Sequence, residues 1–157
     1  MRLGRLIVAI GCFALSGLEV SAGEKGDALF NGKDTKGWTF RGGEKKAGKS
    51  KWGVVEGLSL DAKNPGRFQS KAGAGILLNG DDGRGVDLLT EMKHGDCELY
   101  VEFNVAKGSN SGIYFQGQYE VQILDSFGKA AKELEPGDCG GIYNHSAPRS
   151  NASKPPG

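Results

Sequence analysis

The chain has 157 residues, 38% of them hydrophobic and 25% charged, and a formal net charge of +1. That length suits one domain with its own core, and so near-neutral a balance of scattered Lys, Arg, Asp and Glu argues against nucleic acid or an anionic membrane as partner. Glycine is frequent, with 27 residues, and helix signals are few. The chain opens on a basic pair, Arg2 and Arg5, then an apolar run over 6–18, then the small-residue site Val20-Ser21-Ala22. This reads as a signal peptide over 1–22 and an exported protein, periplasmic or extracellular. The apolar run is too short to span a bilayer, so no membrane span is expected. Ile10-Gly11-Cys12 resembles the end of a lipobox, but the apolar core before it would be only 6–11, so a cleaved signal is favoured.

Beyond the signal, residues 23–157 read as one β-rich domain with no repeat. Short β-prone runs are separated by Gly, Asn, Asp and Pro, which predicts strands at 37–41, 51–55, 58–60, 75–78, 86–90, 97–105, 112–115, 119–124 and 141–143. Many short strands at this spacing argue for an antiparallel sandwich. Trp38 and Trp52 each sit on a short strand beside glycine, and a core role is favoured over an exposed sugar-stacking one. The basic stretch 44–51 is broken by Gly48 and reads as a solvated loop. In 97–105, Leu99, Val101, Phe103 and Val105 alternate with Glu98, Tyr100, Glu102 and Asn104, which predicts one buried face. Residues 129–134 tolerate a turn or short helix, closed by Pro136-Gly137. Cys97 and Cys139 could pair in an exported protein, although two buried free thiols are favoured. With His94 and His145 they form no recognisable zinc pattern.

The most informative stretch is 110–125, a hairpin with one apolar and one polar face. A three-residue loop, Gln116-Gly117-Gln118, pairs Phe115 with Tyr119 and Ile113 with Val121 on one face. It pairs Tyr114 with Glu120 and Gly112 with Gln122 on the other. A two-residue loop would set apolar against polar residues, so the pattern selects the three-residue register. Glycine in the middle of that loop leaves the turn type open. The expected result is an exposed face carrying Tyr114, Glu120 and Gln122 with Asp125 just beyond. Such a face suits sugar chemistry; a merely solvated strand face is the competing reading.

Several segments resemble the 3-keto-disaccharide hydrolase domain family. They are Leu29-Phe30-Asn31-Gly32-Lys33-Asp34 with Gly37-Trp38, then Lys51-Trp52-Gly53-Val54-Val55-Glu56-Gly57, then Asp96-Cys97-Glu98-Leu99 with Glu102-Phe103. Gly108-Ser109-Asn110-Ser111-Gly112-Ile113-Tyr114 and Tyr119-Glu120-Val121-Gln122-Ile123-Leu124-Asp125 are the most diagnostic. Gly137-Asp138-Cys139-Gly140-Gly141-Ile142-Tyr143, Ala147-Pro148 and the final Asn151-Ala152-Ser153-Lys154-Pro155-Pro156-Gly157 complete the series. The resemblance implies an all-β, concanavalin-A-like jelly-roll β-sandwich of antiparallel strands whose concave sheet holds a sugar. It implies cleavage of glycosides whose glucose an upstream sugar 3-oxidoreductase has oxidised at C3. Cys97 stands where the family usually has Phe. The family pattern continues past Gly157, so an incomplete sandwich lacking C-terminal strands is expected.

The spacing Glu120-x-Gln122-x-x-Asp125 is similar to the E-x-D-x-x-E catalytic strand of a related glucanase family, where two carboxylates flank the scissile bond. Retention needs them about 5–5.5 Å apart. Residues 120 and 125 have opposite strand parity, so a bulge near 123–124 would be required. A 3-keto sugar offers another route, in which a base removes the C2 proton and the C1–O bond breaks by β-elimination before water adds. Glu120 is then the expected base and Asp125 the acid. Asn110, Gln122 and Tyr114 are the expected donors or sugar contacts. Asp138, His145 and Lys154 are further candidate contacts. No cofactor is expected; a divalent cation could stabilise an enolate, with Asp138 and His145 as nearest ligands, each more often a structural loop residue. A non-catalytic carbohydrate-binding module on the same sandwich is the alternative, and a structural domain without sugar affinity the third reading.

Overall fold

The computed structural model describes residues 4–8, 26–83 and 85–157. The expected signal peptide lies outside the described residues except for Gly4–Val8, which forms strand β1. The other strands are β2 (Asp27–Ala28), β3 (Trp38–Phe40), β4 (Trp52–Leu60), β5 (Phe68–Asn79), β6 (Leu88–Thr90), β7 (Cys97–Val101), β8 (Asn110–Phe115) and β9 (Tyr119–Leu124). One helical turn, α1 (Glu44–Ala47), and a 3-10 turn at Ala131–Glu133 are the only helical pieces among the described residues. The fold class is therefore all-β. Antiparallel pairs are β3 with β6 and β8 with β9, β4 pairs with β5, and β1 lies parallel between β2 and β7.

Two compact units divide the chain: residues 4–58 with 69–103, and residues 59–68 with 104–157. In the first, Phe30 and Leu77 are buried, with Leu29, Trp38, Trp52, Val54, Leu88, Leu99 and Val101 packed against them. Both tryptophans are core residues, as expected. Each satisfies its indole N–H internally, Trp38 to the Leu29 carbonyl at 2.9 Å and Trp52 to the Val86 carbonyl at 2.6 Å. An unpaired indole N–H here would forfeit much of the benefit of burying the ring. The runs 51–55 and 58–60 merge into one strand through Glu56-Gly57, and 75–78 extends back to Phe68. The basic stretch at 44 begins as a helical turn rather than as a loop. Strand β7 ends at Val101, short of the expected 105, and Phe103 is exposed.

Asn104 and Val105 belong to the second unit and lie outside the strands. The Gly157 N–H donates to the Val105 carbonyl and the Asn104 Oδ1, each at 3.2 Å. The β8–β9 hairpin has the anticipated register throughout, from Asn110↔Leu124 to Phe115↔Tyr119. Its turn type is now settled. Gln116 and Gly117 have φ of 54° and 67°, and the Gln118 N–H donates to the Phe115 carbonyl at 3.1 Å. Two consecutive positive φ values make a type I′ turn, whose twist matches that of the strands, and Gln118 is the extra residue.

The expected strand at 141–143 is instead a bulged edge. Gly140 has φ 83°; its N–H donates to the Gln122 carbonyl at 2.8 Å, and the Gln122 N–H donates to the Gly141 carbonyl at 2.9 Å. Two residues oppose one, with the first a glycine in the left-handed region, which defines a G1 bulge. Beyond it Val121 bridges Ile142, and the Tyr143 N–H reaches the Glu120 carbonyl at 2.9 Å. Ile142 in turn bridges Ser146 across a tight turn. Strand β9 is thus flanked on both edges.

Gly141 is the residue this edge cannot change. A Cβ there would sit 2.7 Å from the Pro136 carbonyl oxygen, 3.0 Å from that of Asp138 and 3.1 Å from that of Ser146. All three are backbone atoms and cannot swing aside. Gly141→Ala is expected to destabilise the protein by about 1–3 kcal/mol in urea unfolding. Gly137→Ala, whose Cβ meets nothing nearer than 3.9 Å, is expected to cost under about 1 kcal/mol.

Candidate functional site

All eight residues anticipated for the site lie in the second unit. Antiparallel partners share a face, so the register sorts them directly. One row across the sheet is Tyr114, Glu120 and Tyr143; the next is Gly112, Gln122 and Gly141; the third is Asn110 and Leu124. Asn110, Tyr114, Glu120 and Gln122 therefore share one face, as their parity requires.

Glu120 is half-buried. The Tyr114 hydroxyl donates to its Oε2 at 2.6 Å, a short charge-assisted bond that fixes the carboxylate. The rest of the side chain lies across Gly112. A Cβ on Gly112 would collide with Glu120 Oε1 and would come within 2.8 Å of its Cγ and Cδ. The missing side chain at 112 is what gives the carboxylate its resting place. Tyr114 itself is 48% exposed.

Gln122 departs from expectation. It is 3% exposed rather than displayed, and its Oε1 is buried without a hydrogen-bond partner. An unpaired buried carbonyl oxygen costs about 1–3 kcal/mol, so this acceptor is a point of stored polar demand beside Glu120.

Asp125 is not brought to Glu120 by a bulge, because the β8–β9 ladder runs unbroken through Leu124. Its carboxylate instead holds loops. Oδ2 accepts the Gly108 N–H at 2.8 Å and Oδ1 the Phe127 N–H at 3.4 Å.

Asp138 is also structural. It is 3% exposed and accepts from the Lys129 ammonium at 2.6 Å, the Glu135 N–H at 2.7 Å and the Ser126 hydroxyl at 3.2 Å. Burial pushes its pKa up, but these three donors outweigh burial and the carboxyl is held below its ordinary value. Lys129 is raised correspondingly, chiefly by its hydrogen bond to Asp138. Ser126 receives the Cys139 N–H at 3.0 Å, and the Asn151 amide donates to the Ser126 and Lys129 carbonyls at 2.7 and 2.9 Å.

His145 and Lys154 are exposed, and neither side chain hydrogen-bonds to Glu120. Both cysteines are free. Among the described residues no group of three or more His, Cys, Asp or Glu is arranged to hold a metal ion. No described helix is long and apolar enough to cross a membrane. Sequence reasoning missed Tyr143 as a neighbour of Glu120, and the glycine pair at 140–141 was the available signal for the bulge that places it.

Because the Asp138 carboxyl is held below the unfolded value of about 3.8, its stabilisation is complete above that pH and is lost as pH falls through the folded value. Asp138→Asn is expected to lower the melting temperature at pH 7 and to narrow its gap to the parent below about pH 4. A gap independent of pH would show that the charge contributes nothing.

The 3-keto-α-glucoside-1,2-lyase-like domain matches this chain over residues 26–157. The chain is also similar to a 3-keto-disaccharide hydrolase of Bacteroides thetaiotaomicron, at 34% identity over 105 residues. That match covers 67% of this chain and 31% of the relative. No solved structure matches. With the family matched over nearly all of the described sequence, the chain belongs to the 3-keto-α-glucoside-1,2-lyase-like domain family.

Proposed function

We propose that this chain is an exported, carbohydrate-active domain that cleaves 3-keto-glycosides, with Glu120 as the base of a β-elimination followed by hydration. The observation that carries this reading is a single fixed carboxylate on a sheet face, bonded to Tyr114 and resting over Gly112. A double-displacement mechanism would need a second carboxylate about 5–5.5 Å away. Asp125, the residue anticipated for it, spends both oxygens on backbone N–H groups. One base suits elimination better than displacement.

In that route Glu120 takes the proton from C2, which the C3 ketone acidifies, and the electron pair becomes the enolate. Collapse of the enolate forms the C1=C2 bond and expels the C1 oxygen as the alcohol once that oxygen gains a proton. Water then adds its oxygen at C1 and a proton at C2, giving net hydrolysis. The family's description names a lyase and the relative's name a hydrolase; elimination and subsequent hydration account for both words. An upstream oxidation at C3 would have to supply the substrate. Asn110, on the Glu120 face, is the proposed donor to sugar hydroxyls or to the enolate oxygen. A jelly-roll closure of the whole domain is part of the same proposal and rests on the family resemblance.

Glu120→Gln is expected to lower aglycone release from a 3-keto-glucoside by about 10²–10⁴-fold with an unchanged melt, since the amide oxygen can still accept from Tyr114. Retained release would remove Glu120 from the base role. Gly112→Ala is expected to act on the same group from beneath. Its methyl takes the space in which the Glu120 carboxylate rests and moves it off its position, so release should fall at least about tenfold while stability changes by under about 1 kcal/mol.

A further inference from the structure

We infer that Tyr143 is a substrate-contacting residue, and that with Tyr114 it borders Glu120 on both sides as a platform for the reacting sugar ring. The inference rests on the proposed 3-keto-glycoside chemistry. It begins with the glycine bulge. Gly140 and Gly141 together oppose Gln122, which sets Ile142 against Val121 and Tyr143 against Glu120. Without the extra residue the alternation would turn Tyr143 to the apolar face. The Tyr143 N–H bond to the Glu120 carbonyl, at 2.9 Å, pins that register at the residue itself.

The row then reads Tyr114, Glu120, Tyr143 across three adjacent backbone segments about 4.8 Å apart. A pyranose ring spans roughly that scale, and its C–H faces stack on aromatic rings. The two tyrosines differ in use. Tyr114 gives its hydroxyl to Glu120, whereas the Tyr143 hydroxyl has no hydrogen-bond partner among the described residues. Tyr143 is 45% exposed, with one ring edge beside Gly137. An aromatic ring held at its backbone, half bare and free at its hydroxyl is equipped to meet a ligand rather than to fill a core.

Tyr119 supplies an internal control. It is 61% exposed, yet the register pairs it with Phe115 on the opposite face. If exposed tyrosine alone favoured sugar, both would count; if the Glu120 face matters, only Tyr143 does.

The test titrates the methyl 3-keto-α-glucoside onto the Glu120→Gln protein by calorimetry, with aglycone release from an aryl 3-keto-α-glucoside measured separately in the Glu120 background. Adding Tyr143→Ala is expected to weaken binding about tenfold and to raise KM by a similar factor with kcat little changed. Adding Tyr143→Phe should keep most of the affinity, and Tyr119→Ala should change neither quantity. Equal affinities for the Tyr143→Ala protein and its parent would overturn the inference while leaving the cleavage reading intact if the parent still releases aglycone. Equal losses from Tyr143→Ala and Tyr119→Ala would overturn it as well. No binding by the parent together with no release would overturn both.

Discussion

The backbone of Gln122 ties the site together. On one edge β9 pairs with β8 in an unbroken ladder; on the other, the Gln122 N–H and carbonyl are claimed by Gly141 and Gly140. Every placement at Glu120 follows from that double attachment. Two turn devices hold it in register: the type I′ turn at Gln116-Gly117 and the bulge at Gly140. A slip of one residue at either would carry half of the face to the other side of the sheet, because side chains alternate with a period of two. The carboxylate can therefore be positioned by strand geometry, with one hydroxyl and one missing Cβ completing the fit.

That reliance on backbone geometry matters because the second unit buries little apolar surface. Of its described residues only Ala106 and Ile123 count as buried hydrophobics, whereas Gln122, Ser126 and Asp138 are buried polar ones. Its ordering is carried largely by hydrogen bonds that knit loops to each other. Asp125 ties 108 to 127, Asp138 ties 126, 129 and 135, and Asn151 ties the final segment back to 126 and 129. A satisfied buried network of this kind is rigid but unforgiving, since removing one member leaves the others unpaired at a cost above their average worth. Two of the carboxylates that looked chemical in the sequence are spent in this way.

What was legible in the sequence divides along the same line. The hairpin register could be read because apolar and polar residues alternate in phase only with a three-residue loop, and the phase is local. The tryptophans could be assigned to the core because each sits on a short strand beside glycine. The roles of Asp125 and Asp138 could not be read, because each carboxylate also takes a donor far off in the chain, Gly108 17 residues from Asp125 and Lys129 9 residues from Asp138. The burial of Gln122 was hidden as well, because the alternation that places it on the polar face of the hairpin says nothing of what lies over that face. Strand β7 stops at Val101 although its alternation continues to Val105, because the extent of a strand is set by its partner, and the ladder with β1 ends at Val8↔Val101.

A site built on one strand face with one fixed carboxylate is suited to a substrate that carries its own activation. Breaking an ordinary glycosidic bond demands acid and nucleophile on opposite sides, and so a cleft whose walls are separately braced. A ketone at C3 changes that demand, because it makes the neighbouring C–H acidic enough for a carboxylate to act as base and gives the departing electrons a conjugated product. On the proposed reading the protein needs only to hold the sugar ring at a fixed distance from one oxygen and to keep that oxygen from rotating. The Tyr114 bond and the bare backbone at Gly112 supply the second requirement. The first falls to whatever flanks Glu120 on the sheet, and it is the glycine bulge, rather than any acidic partner, that decides what stands there.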